Sequence, residues 1–584
     1  MKYLAISLLM LMQLACSSDS NPSADPGAAT EFYVDSISGN DSNDGTSANT
    51  AWRSFTNIAT TNFVSNTTIY LKRNSIWYEQ LTVPVSNLNI DAYGTGNLPA
   101  INGSLEVSGW ASLGSNFYSK TITPASGEAL GNISEDDIMM KFAAWDDDYT
   151  TSLSGAADGS FTFDYPNNTI YIKVSSDPAL KTYRASIKIY GINVENKSNV
   201  TIKNVSISNF SLLGVNFKNC NTCSITDSSI SNGGGAVLQN LGVGSSPDYL
   251  YAGNGVEFGN SSTNGTASNL TISKIFDSGL SPQTYASNQT AGPFTFSNNT
   301  ISECGFAGIE ISVLDNNGTT NSTINTVAMS GNTISSSGKG WSGQRYGSEG
   351  YGIRVKADDG AGSISGVSLT TSEITNSVNS GVKLAGDINV VTISRSKFYS
   401  NDNHGVDVET TASSLRLDMS VSQLYANGGY GFRYNSNSAA GFNILHNTFY
   451  NNTTTNFGVI THAGVAKIQN NIFTSNTGLN DIYVAGTLSS PTVNNNCYSD
   501  HMNMFNYNGG SLYSTVALFS GDTGFEINGT GSGTIGLSNP GSGDFTISAG
   551  SSCDGLGDAS LGVTSDYAGN AYANPPASGA YEAQ

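Results

Sequence analysis

Charge is what this sequence has least of. Of 584 residues only 12% are charged, 24 basic and 45 acidic, about half the quarter usual for a soluble protein. Lys, Glu and Arg, all good helix formers, are therefore scarce. That excludes a helical bundle, a coiled coil and a doubly wound α/β enzyme. The net charge is −21, and such a surface repels nucleic acid and anionic lipid. No nucleic-acid partner is expected, and an acidic ligand would need a local basic patch. Histidine is rare: His446, His462 and His501 have no metal-ligand spacing, and only His404 lies near other candidate residues. Setting Cys16 aside leaves Cys220, Cys223, Cys304, Cys497 and Cys553, an odd number. Cys220-Asn221-Thr222-Cys223 has the C-x-x-C spacing, but no second pair completes a zinc site. Two thiols at a turn and a local disulfide both fit it.

Only one apolar run stands out, Leu4 to Leu14, and it is too short to span a bilayer. It follows the basic start Met1-Lys2 and precedes small residues, the layout of a secretory signal. Leu14-Ala15-Cys16 resembles the lipobox of bacterial lipoproteins. The resemblance implies that residues 1–16 are a signal, that Cys16 is lipidated, and that the membrane is touched only through that anchor. The location would be the outer membrane or cell surface, or the exterior if the signal is cleaved in the ordinary way. Residues 17–30, rich in Ser, Asp, Pro, Gly and Ala, form a flexible tether.

What is abundant is Gly, 65 residues, together with Asn, Ser and Thr, and it recurs in order. Gly, apolar, any, apolar appears at Gly214-Val215-Asn216-Phe217, Gly255-Val256-Glu257-Phe258, Gly308-Ile309-Glu310-Ile311, Gly352-Ile353-Arg354-Val355, Gly381-Val382-Lys383-Leu384, Gly405-Val406-Asp407-Val408 and Gly431-Phe432-Arg433-Tyr434. Asn precedes short β-like runs between them, as in Asn299-Thr300-Ile301, Asn447-Thr448-Phe449 and Asn471-Ile472-Phe473. Each unit of about 25 residues holds two or three short strands with alternate residues inward, and Gly and Asn mark the corners. Such units bury a core only by stacking, and stacked Asn can hydrogen-bond along the stack.

The pattern resembles the right-handed parallel β-helix of the pectate lyase and polygalacturonase group. The resemblance implies an all-β solenoid acting on polysaccharide, here as a monomer. The layout expected is a cap and first coils over 31–100, a β-rich insertion over 101–190, the main β-helix over 191–500, and closing coils over 501–584. Asn40-x-Ser42-x-Asp44-Gly45 has half of an EF-hand loop, but position twelve is Ala51, and a tight turn is the better reading.

In each repeat strand the x residue points outward, so stacking makes one external row at about 4.8 Å per coil. The row runs Asn216, Glu257, Ser281, Glu310, Arg354, Lys383, Asp407, Arg433, with Ser312, Lys356, Glu409 and Asn435 in the next column and His404 just before Asp407. Long spacings, Gly214 to Gly255 and Gly308 to Gly352, add loops carrying Trp341 and Arg345. Aromatic rings there suit sugar faces. Two mechanisms fit. In β-elimination from a uronate glycan, Lys383 is the base. Arg354, Lys356 and Arg433 take substrate carboxylates, and Glu310, Asp407 and Glu409 hold Ca²⁺. Asp407, His404, Trp341 and Arg345 complete substrate binding. In glycoside hydrolysis, Glu257 and Glu310 form the carboxylate pair, two coils apart. Arg354-Val355-Lys356 looks like the Arg-Ile-Lys motif of polygalacturonases, whose upstream paired-Asp motif is missing. A charged strand face that only pairs across coils, or a glycan-binding surface without catalysis, are the other readings.

Overall fold

The computed structural model describes residues 30–584 except 144–148, 241–248, 315–320, 342–348, 475–479, 500–503, 359, 361, 411, 413, 437, 439, 463, 487, 489–490 and 532. Cys16, the expected signal and nearly all of the expected tether lie outside the described residues, as does Arg345. The described residues up to Ala291 form one compact unit, and Gly292–Leu314 with Asn321–Gln584 form a second.

In the second unit the repeat strands Ala307–Val313, Tyr351–Ala357, Val382–Gly386, Val406–Thr410, Tyr430–Ser436 and Thr455–Thr461 pair parallel, one per coil. Their apolar positions form two inward columns. Ile309, Ile353, Val382, Val406, Phe432 and Phe457 make one; Ile311, Val355, Leu384, Val408, Tyr434 and Val459 make the other. All are almost completely buried. Two further parallel sheets complete each coil, for instance Arg416–Ser420 followed by Gln423–Tyr425. Between those two, a residue at positive φ turns the corner: Asn298, Arg395, Val421, His446, Asn470 and Asn495 in successive or nearby coils.

The residue after that corner builds the expected ladder. Asn299 donates to Asn332 at 2.9 Å, Asn447 to Asn471 at 3.1 Å, and Asn471 to Asn496 at 2.9 Å. Ser372, Ser396 and Ser422 fill the same column between them, their hydroxyls accepting backbone N–H groups. A second ladder runs through Asn401, Asn427, Asn452 and Asn456 to Asp481. The buried amides are satisfied by the side chain one rung on together with backbone carbonyls, as Asn447 is by Asn471 and the Met419 carbonyl.

The glycine opening each repeat strand is a packing requirement. A Cβ on Gly352 would lie 2.2 Å from Ile374 Cγ2 and 2.5 Å from the Gly381 carbonyl oxygen. At Gly381, Gly405 and Gly431 it would lie 2.5–2.7 Å from the next coil's carbonyl oxygen. Gly352→Ala is therefore expected to cost about 3 kcal/mol, the upper range for overpacking, read as a lowered unfolding midpoint in urea.

The C-terminal segment runs back along this unit. Arg395 donates to the carbonyls of Ser565 and Asp566, Gln423 to Tyr581 Oη, and Asn470 to the Asp558 carbonyl. A disulfide joins Cys497 to Cys553, and Cys304 is free and buried.

In the first unit, Tyr190–Glu195, Leu213–Lys218, Val256–Gly259 and Ser278–Thr284 stack in the same way. Glu31–Val34 opens the unit against Thr67–Lys72, with Trp52 stacked on Phe32 at 5.1 Å. Asn40 and Asp44 each accept the backbone N–H two residues on, the geometry of tight Asx turns. Between the early coils lie two small sheets, one antiparallel and one mixed, with Lys141–Phe142 added parallel at its edge. The mixed sheet contains the hairpin of Ser160–Asp164 and Thr169–Lys173, the other pairs Ser104–Val107 with Tyr183–Ser186. Cys220 and Cys223 are joined to each other.

Candidate functional site

The outward positions of the second unit's repeat strands align as Glu310, Arg354, Lys383, Asp407, Arg433 and Gly458. The column beside it holds Ser312, Lys356, Ala385, Glu409 and Asn435. These charges bond along the stack. Glu310 Oε1 accepts from Arg354 Nη1 at 2.9 Å and from Ser312 Oγ at 2.8 Å. Lys383 Nζ donates to Asp407 Oδ2 at 2.7 Å and to Glu409 Oε2 at 2.5 Å. Arg433 Nη1 takes the other Asp407 oxygen at 2.8 Å. Although they point away from the core, the Glu310 and Asp407 side chains are only 7% and 5% exposed. A carboxylate removed that far from water must be paired, and here each is.

Aromatic groups wall the row. The Arg354 guanidinium lies over the Phe306 ring at 4.9 Å, and Phe306 meets Tyr351 edge-on. His404 Nδ1 accepts the Tyr430 N–H at 3.0 Å, and the two rings are T-shaped at 5.3 Å. The neutral imidazole therefore carries its proton on Nε2. Burial pushes His404 down to about 4, with Arg433 and Lys383 acting in the same direction and Asp407 opposing. Burial also pushes the Tyr351 phenol up to about 12.

The first unit has a different outward row: Asn193, Asn216, Glu257 and Ser281. Glu257 is buried and accepts from Asn254 Nδ2 at 3.0 Å. Gly259, next in the outward direction, leaves room for a ring: a Cβ there would be 2.9 Å from Tyr285 Oη and 3.1 Å from Glu257 Oε1. Burial, then the Glu257 charge, drives the Tyr285 phenol far up. Burial, Glu195 and Glu257 push Tyr190 up to about 12.

The family model described as the right-handed β-helix region matches residues 168–340 and 325–473. The chain belongs to the right-handed β-helix family. No curated protein sequence matches this β-helix protein. Among solved structures it is similar to XylC with xylose, at 13% identity and a TM-score of 0.48 over 81% of this chain and 84% of that one. The GH136 lacto-N-biosidase from Eubacterium ramulus is similar at 12% and 0.41, over 79% and 67%. Pectate lyase Pel9A is similar at 13% and 0.36, over 95% and 97%.

The β-helix places the residues expected from sequence as follows. Arg354, Lys383, Asp407 and Arg433 are consecutive in one row, with Glu409 beside it. Lys356 stands in the second column, where Asp358, missed in the sequence, holds it at 2.6 Å. Lys383 is not a free amine: two carboxylates engage it. Asp407 is held by both Lys383 and Arg433 and positions those cations. Glu310 does not join Asp407 and Glu409, because three coil steps, about 14 Å, lie between its strand and theirs. Only two of the three carboxylates converge, and both on Lys383, so these residues do not fit a Ca²⁺ site. Among the described residues no group of three or more His, Cys, Asp or Glu could hold a metal ion. Glu257 lies in the first unit and Glu310 in the second, each with partners in its own unit. Trp341 is half-buried at a turn. Tyr351, Tyr430 and Phe306 were also missed, although Tyr351 and Tyr430 directly precede a motif glycine.

Proposed function

We propose that this β-helix protein is carbohydrate-active, binding an acidic, uronate-bearing polysaccharide along the second unit's outer row and cleaving it by β-elimination. The observation that carries the reading is the placement of Arg354, Lys383 and Arg433 in one register-aligned row, each held by a carboxylate. A glycan carboxylate offers those cations the same partner. In elimination a base removes the proton on the carbon beside the carboxylate. That electron pair forms a double bond to the neighbouring carbon, the bond to the glycosidic oxygen breaks, and the leaving oxygen is protonated. Arg354 and Arg433 would neutralise the substrate carboxylate as charge develops. Lys383, between them, is the nitrogen that would take the proton. It carries a proton while it bonds Asp407 and Glu409, so it must first release that proton to water as the substrate's carboxylate is taken by the two arginines.

A second reading has its own observation. Glu257 sits buried beside Tyr285 and Asn254, and glycoside hydrolysis is carried by such enclosed carboxyl groups. The test is incubation of the purified protein with acidic and neutral polysaccharides, following unsaturated uronate absorbance and new reducing ends. Both signals together support elimination. Reducing ends alone, lost in Glu257→Gln, would replace it with hydrolysis. Binding without either signal would replace both with a glycan-binding surface.

A further inference from the structure

The C-terminal part of the second unit closes with the hairpin Phe505–Tyr507 and Ser511–Tyr513, then the helix Val516–Thr523. Thr515 caps the helix through a bond from the Leu518 N–H, and Gly524 ends it in the left-handed region. Phe519, buried on that helix, is the hub. Phe505 stacks on it at 4.1 Å, and Tyr507, Tyr513 and Phe525 meet it at 5.4–6.0 Å. Tyr507 and Phe525 also meet each other nearly at right angles, at 5.8 Å.

Those three outer rings do not fill the space between them. They surround a cavity of about 210 Å³, completed by Asn508, Ser511, Asp522 and Thr523. The Tyr513 hydroxyl donates to the Asp522 carboxylate at its edge. The rings are only half-buried and Asp522 is exposed, so the cavity opens to solvent. A cap that only sealed the core would favour close packing of apolar groups at this position. Instead the walls combine aromatic faces with an amide, two hydroxyls and a carboxylate, the mixture of apolar lining and few polar groups found in ligand sites. The volume is below the 300–1,000 Å³ of pockets for larger ligands, which limits the occupant to about one ring. None of the seven lining residues is cationic, and the one charge is negative, so an anionic ligand meets only repulsion.

We propose that this cavity is a binding site for a single neutral sugar ring, stacked on Tyr507, Tyr513 or Phe525 and hydrogen-bonded by Asp522 and its polar neighbours. It is separate from the charged row and chemically opposite in preference. It does not depend on the row having any catalytic activity.

The test is saturation-transfer NMR with the purified protein and methyl glucoside, methyl galactoside, xylose and N-acetylglucosamine, with glucuronate as the anionic probe. At least one neutral sugar should receive saturation and glucuronate should not. Tyr507→Ala should weaken binding tenfold or more. Because Tyr507 touches Phe519, the exposed variant Asp522→Asn provides a second measure that leaves the ring cluster intact, and it should weaken binding about threefold or more. Lys383→Ala should bind the sugar as the parent does, which separates this site from the row. The proposal is overturned if no neutral sugar binds, if glucuronate binds equally well, or if binding is unchanged in both Tyr507→Ala and Asp522→Asn.

Discussion

Lys383→Ala is expected to lower turnover of a uronate polysaccharide by about 10²–10⁴-fold, the usual contribution of a positioned acid–base group. The same substitution removes one of two partners from Asp407, whose side chain is 5% exposed. Breaking a buried pair outright costs about 3–5 kcal/mol. Arg433 still holds Asp407 at 2.8 Å, so a loss of about 2 kcal/mol is expected, below that range. Activity and stability must therefore be separated, and Lys383→Arg does so. A guanidinium can serve both Asp407 and Glu409 but cannot give up its proton in a protein. If Lys383 is the base, the arginine variant regains the unfolding midpoint and stays inactive. If Lys383 only ties the row together, the arginine variant regains both, and the elimination mechanism loses its base. Asp407→Ala is the stronger structural lesion, because it removes the carboxylate that Lys383 and Arg433 share and leaves Lys383 with Glu409 alone.

Much of this arrangement is legible in the amino-acid sequence. The Gly-apolar-x-apolar spacing sets strand register, since a one-residue slip would turn the charged column inward. It therefore placed Glu310, Arg354, Lys383, Asp407 and Arg433 in one row in the right order. The Asn runs likewise announced a ladder. What spacing cannot carry is which neighbour each long side chain selects. Lys383 could lean toward Arg354's coil or toward Asp407's, and only the second offers two carboxylates. Treating Glu310, Asp407 and Glu409 as one ligand group ignored the coil steps between them, which the row order itself contains. Asp358 lies beyond the end of its motif, so no periodicity marks it as the partner of Lys356. The Cys497–Cys553 bridge and the aromatic cavity depend on segments that leave the repeat. Closure of the chain end, not a local pattern, brings them together.

The same closure creates a titratable end to the first Asn ladder. Asn496 donates to Glu526 Oε1 at 2.6 Å, and Tyr498 Oη donates to the same oxygen at 2.6 Å. Every earlier rung pairs with a neutral amide or hydroxyl, and the last meets a fully buried carboxyl. Burial pushes Glu526 up to about 7, although the bonds from Tyr498 and Asn496 pull the other way. Between about 4.5 and 7 the folded protein therefore keeps a proton that the unfolded chain has lost. The folded state binds more protons in that window, so this group's contribution to stability falls as pH rises through it and is level above. The displacement corresponds to about 3 kcal/mol. His446, pushed down to about 4 by burial, acts with the opposite sign, gaining stability as pH rises from about 4 to 6.5. His404, also pushed down to about 4 by burial, and His462, lowered by burial, act with His446. A raw pH profile therefore mixes opposing signs, and the difference between Glu526→Gln and the parent is the quantity to measure. The amide keeps an acceptor oxygen for the Asn496 and Tyr498 side chains and never ionises, while its NH2 group replaces the Oε2 that accepts the Asn496 backbone N–H at 3.3 Å, a loss that does not vary with pH. The stability of Glu526→Gln relative to the parent should rise by about 3 kcal/mol from about pH 4.5 to about pH 8, measured by urea unfolding at both values. An equal difference at the two pH values would mean that the ladder ends in a carboxyl whose proton has no part in closing the coil stack.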